Sequence, residues 1–272
     1  MKLVLKNFIL LLLLVTAMSC SKFRKIQKST DWKVKYAAAL DYYEEKDYFR
    51  SNALLEDILP IIRGTEESEK ANFIYAYTYF YQDQFILSSH YFKLFTDIYG
   101  RSEYVEEAAY MDAYSLYKQS PQASLDQTST YEALAALQNF LNKYPNSKYA
   151  KDGDALIDEL QRKLEFKAYE NSKLYHNLRR YKAALIAIKN FQYDYPDSKY
   201  REELTFLGIE TAYQLAEVSI TTVQEERYQQ VLELYETFID RYPNSKFVKQ
   251  AEDYYADSIE QLAIFADRNK NK

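Results

Sequence analysis

Apolar residues recur along most of the chain at the spacing of an amphipathic helix. Ala184, Ile188 and Phe191, for example, stand at i, i+4 and i+7 and would share one helix face. No stretch shows the sustained alternation of apolar and polar residues that is typical of a half-buried strand. The pattern predicts an all-α protein with no sheet.

One short motif separates these helical segments and is written several times. It reads aromatic, three spacers, Tyr-Pro-[Asn/Asp]-Ser-Lys-[Tyr/Phe], then a charged start to the next apolar run. Proline cannot continue a helix, whereas Asn, Asp and Ser supply turn and N-cap oxygens, so the motif predicts a helix end followed by a helix start. The three full copies and a degenerate one with Gly100 at the proline position are Asn139–Asp152, Asn190–Glu203, Thr237–Gln250 and Leu94–Glu107.

Self-similarity at this period indicates stacked helix pairs of the tetratricopeptide (TPR) type. Small residues recur where two helices would approach, namely Ala39, Ser51, Ala76, Ser88, Ala113, Ala133, Ser172 and Ala184. Large residues follow them in the second helices, namely Leu55, Ile58, Phe92, Phe95, Leu137, Phe140, Ile188, Phe191, Tyr228, Val231, Tyr235 and Phe238. We predict a right-handed superhelix of about five TPR-like helix pairs with a C-terminal capping helix over Lys246–Asp267.

Interruptions of the period predict two arrays. An insertion, Lys118–Ser129, sets back the first helix of the third repeat, and a longer loop is expected near Ser219–Glu226. Asp152–Lys173 has no helix breaker and would connect the halves. The predicted domains are residues 31–151, with repeats one to three, and residues 152–272, with the connecting helix, repeats four and five and the cap.

Residues 1–19 have the pattern of a lipoprotein signal peptide. Lys2 and Lys6 precede an apolar run, Phe8–Val15, that is too short to span a bilayer as a stable anchor. Cys20, the only cysteine in 272 residues, stands where such a signal has its lipidated cysteine, and its acyl chains would anchor the chain stably. The alternative is an ordinary signal peptide with an incidental cysteine. Residues 20–30 would form a lipidated, polar and basic tether.

The residues after Cys20 favour a location. Ser21 replaces the Asp that resembles an inner-membrane retention signal, so we predict the outer membrane. No acidic cluster follows, so we predict the periplasmic face.

Composition excludes several functional classes. The net charge is −5 and becomes −7 when Lys2 and Lys6 leave with the signal, which disfavours nucleic-acid binding. His90 and His176 lie far apart and read as helix-surface residues, and no metal-binding, phosphate-loop or nucleophile motif is present. Acidic pairs such as Glu106-Glu107 suit helix N-termini. We expect no enzymatic activity, no cofactor and no metal.

Binding is better supported than catalysis. First helices line the concave face in this repeat class, and their groove positions are rich in aromatic rings, which contact partners with little rotamer entropy to lose. The alternative is that most of these rings belong to the core between repeats. The candidate peptide-groove residues are Tyr36, Tyr43, Phe73, Tyr77, Phe80, Tyr110 and Tyr114, with Leu40 and Tyr117 beside them.

Taken together, the cysteine, the five helix pairs and the recurrent Phe-x3-Tyr-Pro-[Asn/Asp]-Ser motif resemble the BamD family. These are lipoprotein subunits of the outer-membrane β-barrel assembly (BAM) machinery. Asp154–Glu203 carries the best match, the insertion before Tyr131 also fits, and the tyrosine content is similar to that of Bacteroidetes proteins.

The resemblance implies two binding roles. The N-terminal repeats would receive the C-terminal, aromatic-ended segments of unfolded outer-membrane proteins. The C-terminal repeats would dock on the central barrel subunit, BamA, and the candidate docking residues are Tyr195, Asp197, Arg241 and Tyr242. The alternative is a TPR adaptor of another envelope complex, for glycan uptake, gliding or peptidoglycan linkage.

Overall fold

The computed structural model describes residues 22–270. Within that range the regular secondary structure is entirely helical, with no strand. α1 covers residues 22–27. The helices that follow are α2 (Trp32–Glu44), α3 (Tyr48–Ile58), α4 (Glu66–Phe80), α5 (Phe85–Ile98), α6 (Val105–Gln119), α7 (Thr128–Lys143), α8 (Ala150–Asn177), α9 (Tyr181–Asp194), α10 (Arg201–Glu217), α11 (Thr221–Arg241) and α12 (Val248–Lys270). The predicted all-α fold is confirmed. The predicted signal peptide and Cys20 lie outside the described residues.

Successive helices form repeating pairs: α2 with α3, α4 with α5, α6 with α7, α8 with α9, and α10 with α11. The small residues predicted between paired helices are all fully buried or nearly so, and the large residues beside them are buried too, except Tyr235, which is half-buried. In the first pair, the Ser51 hydroxyl donates to the Ala39 carbonyl at 2.8 Å, which only a small side chain can do at this close approach. The predicted TPR-like pairs are confirmed.

The turn inside three pairs has one backbone geometry, although no glycine marks it. Lys46, Asp83 and Arg179 each adopt a left-handed φ, of 63°, 56° and 56°. In the first pair the N–H groups of Lys46 and Asp47 donate to carbonyls three and five residues back, at 3.0 and 2.8 Å, which is the Schellman pattern of a helix C-terminus. The same two bonds close the turns at Asp83 and Arg179.

The serine of the repeated motif joins each repeat to the first helix of the pair before it. Ser147 Oγ accepts the N–H of Tyr149 at 3.0 Å and donates to Glu106 Oε1 of α6 at 2.6 Å. One hydroxyl therefore fixes the start of a helix and its attachment to a neighbour. The same serine–glutamate bond joins Ser102 to Glu69, Ser198 to Glu165, and Ser245 to Glu202.

The aromatic residue two positions after that serine stacks on the same first helix. The Tyr149 ring lies 4.5 Å from the Tyr110 ring of α6 and almost parallel to it. Parallel rings at this distance bury large apolar faces against each other. Equivalent stacks, with centroids 4.2 to 4.7 Å apart, join Tyr104 to Phe73, Tyr200 to Tyr169, and Phe247 to Phe206.

The third repeat contains an insertion, whereas the fifth repeat has a longer helix in place of the loop predicted there. The predicted insertion is present as residues 120–127, and the buried Gln127 amide holds it by donating to the carbonyls of Gln122 and Leu125. The long loop predicted near Ser219–Glu226 is wrong, because α11 begins at Thr221. No glycine or proline interrupts that stretch, and the Gln224 side chain donates to the Ala216 carbonyl, so these residues lengthen the helix.

The chain separates into two compact units, one ending at Leu160 and the other beginning at Gln161, within α8. The behaviour of residues 31–151 and 152–272 as separate domains stays a prediction. In the first unit, Phe23 and Ile26 of α1 pack on the core around Ala39 and Tyr42. Residues 22–27 therefore belong to the fold, whereas the sequence predicted a polar tether there.

Candidate functional site

A continuous set of ring contacts runs across the first unit. Tyr48 and Tyr81 stack with centroids 4.5 Å apart, and Tyr43 lies 5.7 Å from Tyr48. Tyr81 also lies 5.7 Å from Tyr77 and 5.6 Å from Phe80. Phe80 of α4 then reaches Tyr114 of α6 at 5.7 Å. We call these six rings the aromatic row: Tyr43, Tyr48, Tyr77, Phe80, Tyr81 and Tyr114.

The structure brings four of the seven predicted groove residues into this row, and each of the four is half-buried. Phe73 and Tyr110 are buried in a core cluster. From there the Phe73 ring contacts Tyr77 of the row and the Tyr110 ring contacts Tyr114. Tyr36 packs against the core of the first pair. Leu40 belongs to that same core, and Tyr117 extends the contacts beyond Tyr114 at 5.7 Å. A peptide groove at these residues stays a prediction.

Sequence reasoning missed two members of the row. Tyr81 is the C-cap of α4 and is 46% exposed, the most accessible ring of the set. Tyr48 is the first residue of α3. The predicted groove positions all lie inside first helices, whereas these two rings flank the turns between paired helices. The signal available was an aromatic residue next to each of the first two turns.

One carboxylate lies beside the row. Glu107 accepts hydrogen bonds from the hydroxyls of Tyr77 at 2.6 Å and Tyr149 at 2.7 Å, and Lys148 lies 3.8 Å away. Burial, followed by the bond to Glu107, raises the pKa of Tyr77 above its usual range. Burial, followed by the neighbouring Tyr81 and Tyr48, raises the pKa of Tyr43 in the same direction. These hydroxyls are therefore neutral and act as hydrogen-bonding groups at the edge of an apolar surface.

The predicted docking residues of the second unit have two kinds of environment. Tyr195 packs on Phe191 with centroids 5.1 Å apart, and Tyr242 packs on Phe238 at 5.6 Å. Both tyrosines are half-buried. Their packing is part of the repeat, because in each full copy of the motif the tyrosine before the proline packs on the preceding phenylalanine. Asp197 is exposed on a motif turn, and Arg241 is exposed at the last position of α11. A docking role for the four stays a prediction.

Other candidate chemistry is sparse over residues 22–270. His90 is exposed, and His176 Nδ1 lies 2.8 Å from the Thr211 hydroxyl. Within this range no three side chains of the His, Cys, Asp or Glu type are grouped so that they could hold a metal ion. None of the helices in the same range has the length and apolar character needed to cross a bilayer.

Comparison with known proteins gives matches over most of the chain. The model of the YfiO family, described as outer membrane lipoprotein, matches residues 28–219. The outer membrane protein assembly factor BamD of Rickettsia prowazekii is 24% identical over 191 residues, which cover 69% of this chain and 71% of that protein. BamD of Caulobacter vibrioides is 28% identical over 118 residues, covering 43% of this chain and 37% of that protein.

A solved structure is also similar. The crystal structure of the P58(IPK) TPR domain superimposes with a TM-score of 0.39 at 14% identity, covering 91% of this chain and 67% of that one.

Proposed function

The chain belongs to the YfiO family of outer membrane lipoproteins, and we propose that it is a non-enzymatic scaffold of outer-membrane protein assembly. The observation that carries this proposal is the family match over residues 28–219, together with two relatives that are both assembly factors named BamD. The membrane association would come from lipidation of Cys20, with the helical repeats on the periplasmic face. The absence of an enzymatic role rests on the same kinship.

In the proposed function, the aromatic row receives the C-terminal, aromatic-ended segments of unfolded outer-membrane proteins. The row offers half-buried and exposed rings in continuous contact, and ring surfaces of this kind bind apolar and aromatic residues. The hydroxyls of Tyr43 and Tyr77, whose pKa values are raised by burial, are neutral, so a peptide would meet polar groups there without burying a charge. Phe73 and Tyr110 would hold the row rigid from the core side.

The second unit would dock on the central barrel subunit, similar to BamA. Its first-helix surface differs from the aromatic row in charge. Lys173 Nζ lies 2.7 Å from the Tyr169 hydroxyl and 3.0 Å from Glu203, and these contacts place paired charges where the first unit has rings. Asp197 adds an exposed charge on a motif turn, and Arg241 adds one at the end of α11. Charged surfaces favour specificity and orientation in docking more than the capture of apolar segments.

The experiment is a mild-detergent pull-down of the full-length protein from its own membranes, with identification of stoichiometric partners. Recovery of a large barrel protein with repeated periplasmic domains supports the assembly function. Recovery of a different envelope complex in its place, for glycan uptake, gliding or peptidoglycan linkage, overturns it and leaves a TPR adaptor.

Two variants separate the binding roles. Tyr81→Ala should retain the barrel subunit and lose unfolded outer-membrane proteins, whereas Arg241→Glu should do the reverse. Tyr193→Ala is the control for the first, because Tyr193 is an exposed ring, 86% accessible, in the second unit. If both variants retain both partners, the proposed sites are wrong even where the pull-down supports the function.

A further inference from the structure

Residues 22–30, at the start of the described chain, are strongly basic, and their apolar side chains pack on the fold. Residues 22–30 contain four basic side chains and no acid, although the whole chain carries a net charge of −5. Lys22, Arg24, Lys25 and Lys28 are all exposed. The two apolar residues of α1, by contrast, pack on the core of the first helix pair. α1 is therefore a basic helix fixed to the fold by its apolar face.

An exposed phenylalanine directly precedes a residue that contacts this basic helix. The Arg50 guanidinium lies 5.6 Å from the Phe23 ring of α1 and 5.6 Å from the Tyr42 ring, so the N-terminal end of α3 adjoins α1. Phe49, the residue before Arg50, is 72% exposed. Arg50 itself pairs with Asp47 at 3.0 Å, so its charge is already matched, and the four basic residues at positions 22–28 carry the excess positive charge.

The distance to the proposed anchor decides what this surface meets. Two residues stand between Cys20 and Phe23, and the three steps from one Cα to the next span at most about 10 Å in an extended chain. Phe23 lies against the fold, because its ring packs on the Tyr42 ring with centroids 5.8 Å apart. An acylated Cys20 would therefore hold the basic face of α1 and the Phe49 ring within reach of the headgroups.

We propose that α1 and Phe49 form a second membrane contact, which takes an anionic lipid surface. The four basic side chains of residues 22–28 meet phosphate groups, and Phe49 enters the interfacial layer, where apolar aromatic side chains are favoured. The contact fixes the first repeat against the bilayer instead of leaving it on a free tether. This inference rests on the proposed lipid anchor but not on the identity of the protein partners.

The test places an environment-sensitive fluorophore on Phe49→Cys in the full-length lipidated protein. The protein is reconstituted into vesicles of phosphatidylethanolamine alone or with phosphatidylglycerol, and lipids that carry a headgroup quencher report contact. The matched control is Tyr193→Cys, also a highly exposed ring position. The wild-type protein should take no label, because the proposed lipid blocks its only cysteine.

We expect the label at position 49 to shift to the blue and to be quenched in anionic vesicles, while the label at position 193 stays solvated. Lys22→Glu with Lys25→Glu should lower the equilibrium constant between the membrane-bound and solvated states of the label at position 49 roughly tenfold or more. Added salt should lower the same constant. The paired control is Lys182→Glu with Lys189→Glu on α9, which should change nothing.

Two results would overturn the proposal. A label at position 49 that stays as solvated as the one at position 193 in both kinds of vesicle would show that the patch faces water. Labelling of wild-type Cys20 would remove the anchor on which the inference depends. The partner pull-down could succeed or fail independently of both results.

Discussion

Ser147 Oγ and Glu106 Oε1 lie 2.6 Å apart, and this hydrogen bond connects the start of α8 to the start of α6. Its equivalents recur at each copy of the motif. Glu107, the next residue, accepts from Tyr77 of the preceding first helix. A glutamate pair that the sequence explains only by the helix dipole therefore joins a repeat to both of its neighbours.

Removing this bond should destabilise the first unit. Ser147→Ala should lower the free energy of unfolding by about 1 to 2 kcal/mol, because the substitution removes the donor to a carboxylate and the acceptor for the Tyr149 N–H. Urea unfolding followed by circular dichroism measures the change. Ser124→Ala, in the exposed part of the insertion, is the control and should be neutral. An unchanged midpoint for Ser147→Ala would show that the bond contributes nothing in solution.

Substituting glycine for a turn residue with a left-handed φ should stabilise the protein. Arg179→Gly should raise the free energy of unfolding by about 0.5 to 1 kcal/mol, since glycine adopts a φ of 56° without the steric cost that a side chain has there. Arg179→Val should lower it, because a β-branched residue fits this φ worst. Thermal unfolding of the two variants together tests the geometry, and a change in the same direction for both would contradict it.

Asp112 should make stability depend on pH. Burial raises the pKa of this carboxyl, against the opposing effects of the hydrogen bond from Ser89 at 2.6 Å and of the Lys93 charge, and Asp97 adds to the rise. A folded pKa above the unfolded one means that the folded state binds the proton more tightly. The ionised carboxylate therefore costs stability above the unfolded pKa, and that cost disappears as the pH falls.

Asp112→Asn keeps an acceptor for Ser89 and removes the charge. It should raise the unfolding midpoint at pH 7, and its advantage over wild type should vanish near pH 3 to 4, about where carboxyl groups protonate. Asp158→Asn removes a charge from an exposed site on α8 that is not among the groups acting on Asp112, and serves as the control. A constant difference between Asp112→Asn and wild type at all pH values would exclude the buried-charge explanation.

The aromatic row should account for peptide affinity. A synthetic peptide with a C-terminal aromatic residue should bind the full-length protein, and Tyr81→Ala should weaken binding about tenfold, the effect of removing a well-placed aromatic contact. Fluorescence anisotropy of a labelled peptide measures it. Tyr193→Ala should leave the affinity unchanged. Equal losses for the two variants would show that exposed rings bind such peptides without a specific site.

Local sequence determined where the helices lie and how they pair. Spacing of apolar residues and the repeated motif predicted the helix pairs, and Ala39, Ser51, Phe92 and Phe140 are buried as that pattern requires. These features depend on neighbours three to seven residues away, or on one residue type that ends a helix, so a single sequence contains them.

Other features were decided only by the tertiary structure. Tyr77 and Tyr81 are equally plausible as core or surface in the sequence, and their environments are set by Glu107 and Tyr48, each about 30 residues away along the chain. The serine–glutamate bond likewise joins residues 41 apart at Ser147 and Glu106. Periodicity reports which side of a helix faces inward, whereas the partner across a repeat boundary depends on how consecutive pairs stack. Composition added a further ambiguity, because with 29 tyrosines in the chain only packing distinguishes a binding ring from a core ring.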